Sequence, residues 1–180
     1  MQKTFNDTNG HLSPNTPESV IPDEDVGPRD FCFHPHLNIV YFCNEEGSSV
    51  TTYQFNTVAG TLRAMQTIPT IPDNFSEKNR CALIQITPTG KSLYVANRGH
   101  NSIACFYVDT NTGLLTSLGQ TPTEPETRAF SLDPKGDFLF AAGEKSGRLV
   151  SYRVNKETGR LTLLETYVVG RAPWWILLTK

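Results

Sequence analysis

Asn111-Thr112-Gly113-Leu114-Leu115 decides the fold, because its Gly-x-Leu step does not stand alone. The same step occurs at Gly10-His11-Leu12, Gly60-Thr61-Leu62 and Gly159-Arg160-Leu161. Working outward, a second mark keeps pace with it: His34-Pro35, Thr87-Pro88 and Asp133-Pro134. Both advance by 53 residues (60 to 113, 34 to 87) and then by 46 (113 to 159, 87 to 133). Three long units therefore follow one another in register. Self-similarity at this period signals units that stack, since one unit cannot bury its own apolar face.

Each unit holds four short runs rich in β-branched and aromatic residues, the composition of strands. The first unit gives Arg29–His34, Ile39–Cys43, Ser49–Phe55 and Leu62–Ile68. The second gives Ala82–Thr87, Ser92–Ala96, Ser102–Val108 and Leu115–Gly119, and the third Arg128–Asp133, Phe138–Ala141, Arg148–Val154 and Leu161–Thr166. Pro88-Thr89-Gly90-Lys91 and Pro134-Lys135-Gly136-Asp137 supply turns between the first two runs. No segment repeats its apolar residues at the helical period, so helix content is expected to be low.

Four antiparallel strands in about 45–50 residues describe a blade of a β-propeller. The fold class is all-β: about three complete four-stranded blades with a strand at each end, forming part of a ring. The whole span 1–180 is one partial propeller domain, with blades at about 28–70, 82–125 and 127–170. A remnant outer strand is expected near Leu12, a closing strand at Trp174–Leu178, and an insertion at Ile71–Arg80.

Sixteen basic residues stand against eighteen acidic ones, with no block of like charge. That removes the electrostatic argument for a nucleic-acid partner or a membrane surface. The polar Met1-Gln2-Lys3-Thr4 start lacks an apolar signal region, and no run approaches the ~18 apolar residues of a membrane span. Cys32, Cys43, Cys81 and Cys105 show no Cys-x-x-Cys spacing and sit in apolar runs. They read as buried, reduced thiols of a cytoplasmic protein. His34 and His36 form a His-x-His pair, yet Thr87 and Asp133 hold the His34 place in the other units, so the shared role is satisfying turn amides. No metal or organic cofactor is implied. Gly-x-Ser-x-Gly, Gly-x-Gly-x-x-Gly and P-loop patterns are absent from the sequence.

Several motifs together carry a resemblance. Gly27-Pro28-Arg29-Asp30, Phe33-His34-Pro35, Tyr41-Phe42-Cys43-Asn44-Glu45 and Ile71-Pro72-Asp73-Asn74-Phe75 come first. Ser92-Leu93-Tyr94-Val95-Ala96-Asn97-Arg98-Gly99-His100-Asn101-Ser102-Ile103 and Phe130-Ser131-Leu132-Asp133-Pro134 follow in order. The chain resembles the lactonase family of seven-bladed propellers, which includes 6-phosphogluconolactonases and fungal carboxymuconate-lactonising enzymes. The resemblance implies a carboxy-terminal half of such a ring and a small-molecule lactone substrate. It also implies a catalytic histidine in an earlier blade, for which this chain has no match.

Propeller geometry places loops between blades, and those after second strands, on one face of the disc. Arg29, Glu45 and Arg98 fall there. The resemblance implies that Glu45 is a general base and that Arg29 and Arg98 bind substrate anion and carbonyl, with Asn97 and His100 also near substrate. Arg pairs suit this because the guanidinium stays charged and presents a planar fork of donors. Blander readings stand beside these. Glu45 also reads as a solvated hairpin acid, Arg29 as a packing stem repeated at Arg128, Arg98 as a surface residue, and Trp174 and Trp175 as apolar packing. Asp30 departs from the histidine usual after Pro-Arg in that family. Two further functional readings remain open: a propeller used as an interaction platform without turnover, and an inactive fragment that self-associates through its open blade edges or awaits a missing amino-terminal half.

Overall fold

A computed structural model describes residues 3–22 and 26–179. Met1, Gln2, residues 23–25 and Lys180, which the domain span 1–180 includes, lie outside the described residues. Among the described residues every regular element is a strand: β1 (Lys3–Phe5), β2 (Leu12–Pro14), β3 (Pro28–Phe33), β4 (Ile39–Asn44), β5 (Ser49–Asn56), β6 (Thr61–Pro69), β7 (Arg80–Ile86), β8 (Ser92–Arg98), β9 (Ser102–Val108), β10 (Leu115–Pro122), β11 (Thr127–Leu132), β12 (Phe138–Gly143), β13 (Arg148–Val154) and β14 (Leu161–Val168).

Three four-stranded antiparallel sheets form in chain order, β3-β4-β5-β6, β7-β8-β9-β10 and β11-β12-β13-β14. The strand β3 lies against β7, and β7 against β11, so the first strand of each sheet lines a shared axis. This is the blade arrangement of a β-propeller. The third strands Ser102–Val108 and Arg148–Val154 match the sequence expectation residue for residue. Second strands run further than expected, to Asn44, Arg98 and Gly143. Two ends differ from expectation. Leu12 gains a partner, β1, and forms a separate hairpin. Trp174–Leu178 is not a strand, because no described strand pairs with it and an unpaired strand has no ladder for its amides.

Strand alternation sends successive side chains to opposite faces, and the middle blade has a neighbour on each. Leu93 and Val95 enter a core with Tyr41, Cys43, Val50 and Phe106, while Tyr94 and Ala96 enter another with Phe130, Leu139, Ala141 and Tyr152. Every residue of β8 is consequently buried. Phe31, by contrast, is 52% exposed on the first blade's outer face, where it stacks on Phe42 with ring centroids 5.3 Å apart. The cysteines pack as small apolar residues: burial pushes the thiol of Cys43 up to about 12 and those of Cys81 and Cys105 up to about 11.

The repeat marks explain how blades lock. The Tyr41 hydroxyl donates to the Gly113 carbonyl and the Tyr94 hydroxyl to the Gly159 carbonyl, both at 2.8 Å. Each tyrosine thus ties its second strand to the Gly-x-Leu turn of the following blade. Replacing Tyr94 with phenylalanine keeps the ring volume but orphans a buried carbonyl, at an expected cost of about 1–3 kcal/mol. Urea unfolding checks this against the half-exposed Tyr107→Phe, expected to shift stability by less than about 0.5 kcal/mol. The second repeat mark closes a turn. His34 Nδ1 accepts from the His36 and Leu37 amides, each at 3.0 Å. Asp133 Oδ1 accepts from the Asp137 and Phe138 amides at 2.6 and 2.7 Å, and Thr87 Oγ1 from Ser92 at 3.2 Å. Three different acceptors do one job, and burial lowers the His34 pKa, which favours the neutral ring that such acceptance needs.

Candidate active site

Arg29 owes its position to a β-bulge. The register between β3 and β4 jumps from Pro28↔Asn44 to Asp30↔Cys43, leaving Arg29 as the extra residue. Bulges re-aim side chains, and they concentrate beside functional sites. Glu45 follows the last residue of β4 directly. Its amide donates to the Gly27 carbonyl at 2.7 Å and its carbonyl accepts from the Cys81 amide at 3.2 Å, so the lead-in to its own blade's first strand and the first strand of the next blade pin its backbone from both sides. Arg98 ends β8, one repeat step from Glu45.

These three placements converge. Glu45 Oε2 lies 3.3 Å from Arg29 Nε, and Glu45 Oε1 accepts from Arg98 Nη2. Arg29 Nη1 also donates to the Ala82 carbonyl, and Arg98 Nη2 to the Cys81 carbonyl at 3.2 Å. The Arg98 side chain is 6% exposed against 30% for Arg29 and 26% for Glu45. Arg98 is therefore the buried anchor, while Arg29 and Glu45 reach solvent. One carboxylate between two guanidiniums leaves an excess positive charge facing the opening, suited to an anion or a developing oxyanion.

The other expected site residues divide. Asn97 lies wholly buried and its amide is consumed internally. Its Nδ2 donates to the Thr70 carbonyl at 2.9 Å and Ser102 Oγ at 3.2 Å, while Oδ1 accepts from Thr70 and Asn79 at 2.8 and 3.1 Å. It holds the Arg98 loop and leaves no polar atom for a substrate. His100 stands edge-on to Phe75 at 4.7 Å, with Nδ1 2.7 Å from Ser102 Oγ. Asp30, where the resembling family has histidine, accepts from the Ile84 amide at 3.2 Å and so ties the first blade to the second.

Two groups of residues escaped the sequence reading. Thr70, at the end of the first blade, and Phe75, Lys78 and Asn79 of the insertion brace Asn97 and the Arg98-Gly99-His100 turn; nothing in their composition announced that contact. Arg128 and Glu144 form a second ion pair. Here a signal existed: both pairs are spaced by 16 residues, and Arg128 is again the extra residue of a bulge, between Thr127↔Gly143 and Ala129↔Ala142.

Comparison with known proteins agrees with this architecture. The family described as lactonase, 7-bladed beta-propeller, matches residues 3–178. A 6-phosphogluconolactonase of Pectobacterium carotovorum is 36% identical over 167 residues, covering 93% of this chain and 50% of that relative. The crystal structure of a putative 6-phosphogluconolactonase from Bacteroides fragilis superposes with a TM-score of 0.86 at 27% identity, over 96% of this chain and 49% of that one. The periplasmic gluconolactonase of Pseudomonas aeruginosa gives a TM-score of 0.83 at 26% identity, over 88% and 44%. The chain thus spans about half the length of the curated relatives it matches.

Proposed function

The chain belongs to the lactonase family of seven-bladed β-propellers, and on that premise we propose that the ring to which it contributes hydrolyses a sugar-acid lactone at the Arg29–Glu45–Arg98 cluster. The observation that carries the reading is a solvent-reaching carboxylate clamped between two guanidiniums at the channel side of the blades. Glu45 accepts a proton from water as that water adds to the lactone carbonyl. The tetrahedral oxyanion that forms lies against Arg29, while the buried Arg98 adds its charge from behind Glu45, and neither charge needs reorganisation at that moment. Collapse breaks the bond between the acyl carbon and the ring oxygen, and Glu45 returns its proton to the departing alkoxide. Water and lactone give one hydroxy acid. His100 borders the site, and Asn97 acts through Arg98.

The names of the relatives support a phosphorylated gluconolactone as substrate. Free thiols used as core residues support a cytoplasmic setting. Further blades, from the same or another polypeptide, complete the ring. A second reading, an interaction platform without turnover, draws on the exposed aromatic face at Phe31 and Phe33. Acid release from gluconolactone with and without its 6-phosphate separates the two. The enzymatic reading expects a kcat/KM of about 10⁴ M⁻¹s⁻¹ or more from the assembled ring. A folded ring that accelerates neither lactone overturns it.

A further inference from the structure

Arg128 repeats the design of Arg29 without repeating its surroundings. Each is the extra residue of a bulge at the start of a first strand, and each gives its Nε to a glutamate sixteen positions on. Arg29 spends a terminal nitrogen on the Ala82 carbonyl. Arg128 spends only Nε; among the described residues both of its terminal amino groups lack a hydrogen-bond partner. Its side chain is 34% exposed, and its guanidinium carbon lies 5.2 Å from the centre of the Trp174 ring. A guanidinium so held, by a carboxylate at one edge and a ring across its face, is fixed in direction with its fork unused.

That fork opens into a cavity. A space of about 360 Å³ along the first strands is lined by Arg29 and Arg128, with Trp174 and Trp175 among its walls. Its size falls within the ~300–1,000 Å³ typical of small-molecule sites, and apolar walls with few convergent polar groups are their usual chemistry. The charged residues of that lining are Arg29 and Arg128, both cationic, so the cavity favours an anion.

We propose that Arg128, aimed by Glu144 and Trp174, is an anion-binding residue of this cavity that receives the phosphate of a sugar-acid phosphate, whose other end lies at Arg29. The inference rests on the lactonase reading for the identity of that other end. Arg suits a phosphate through two parallel donors, and the neutral lactone lacks a group to engage them. Arg128 therefore sets preference for the phosphorylated substrate, and the two tryptophans form the wall along which the sugar lies.

Both tryptophans of the chain line this cavity, so intrinsic fluorescence reports on it directly. The 180-residue protein is titrated with 6-phosphogluconate, gluconate and inorganic phosphate. Saturable quenching or a spectral shift is expected with 6-phosphogluconate, at least about tenfold tighter than with gluconate, as loss of charge-assisted hydrogen bonds demands. Arg128→Ala is expected to erase that tenfold preference, and Arg128→Lys, which keeps the charge without the fork, to retain only part of it. A melting temperature near wild type for Arg128→Lys guards against misfolding as the cause. No saturable response to 6-phosphogluconate, or an unchanged preference in the folded Arg128→Lys and Arg128→Ala proteins, overturns the inference. Failure of the catalytic reading is separately visible: turnover would survive loss of the Glu45 carboxylate while the Arg128-dependent preference persisted.

Discussion

Replacing Glu45 with glutamine is expected to lower kcat of the assembled ring by about 10²–10⁴-fold, the range for a lost acid–base group. KM is expected to stay within about threefold, since the interaction removed belongs to the transition state. Glutamine is nearly isosteric, so the change tests chemistry before shape. Its oxygen still accepts from one of the two guanidiniums that flank Glu45, while its amide nitrogen opposes the other. The fold tolerates that mismatch because the side chain is only partly buried. Glu46→Gln provides the comparison: the adjacent acid is 53% exposed and pairs with Arg80 at 3.0 Å. Exposed pairs of this kind contribute about 0–1 kcal/mol, so this neighbour is expected to leave kcat unchanged. A Glu45→Gln ring that turns over within about threefold of wild type would remove the carboxylate from the mechanism.

The fold was legible because the repeat encodes it redundantly. Gly113 and Gly159 mark turns whose carbonyls receive the Tyr41 and Tyr94 hydroxyls, so the residues that signal the period also join the blades. His34, Thr87 and Asp133 share no chemistry, yet each supplies an acceptor to the same turn, which a positional reading recovers and a motif search does not. Loop placement put Arg29, Glu45 and Arg98 on one face of the disc, and the resemblance singled them out; their ion pairs came only with the structure. The fate of Asn97 was not legible. The resemblance put it near substrate, whereas β8 extends through Arg98 and Thr70, Asn79 and Ser102 surround its amide. A strand's length depends on partners the local sequence does not name. Trp174–Leu178 shows the converse: its composition suits a strand, but no described strand offers it a ladder.

The insertion also governs the second large effect, expected from Gly99→Ala. Gly99 has φ of +116°, and a Cβ there would lie 2.1 Å from the Lys78 carbonyl oxygen and 3.0 Å from the Asn79 Cα. Both obstacles are backbone, so no side-chain rotation relieves them. Strain at the dihedral and displacement of residues 78–79 together are expected to cost about 2–5 kcal/mol. Gly119→Ala separates the two contributions. Its φ is +92°, yet nothing lies within 4 Å of the place a methyl would take, so it carries the dihedral strain alone, about 1–3 kcal/mol. Activity should separate the pair further. Relief of the Gly99 clash moves either the insertion or the turn that carries Arg98, and Asn79 bridges both through Asn97 and the His100 amide. A shift near 1 Å in a positioning group costs about 10²-fold in rate, so Gly99→Ala is expected to lose activity even below its melting temperature, and Gly119→Ala is not. Equal melting temperatures and equal rates for the two variants would mean that the insertion yields freely. Arg98 would then owe its position to Glu45 and the Cys81 carbonyl alone, and the brace assigned to Thr70, Lys78 and Asn79 would be incidental.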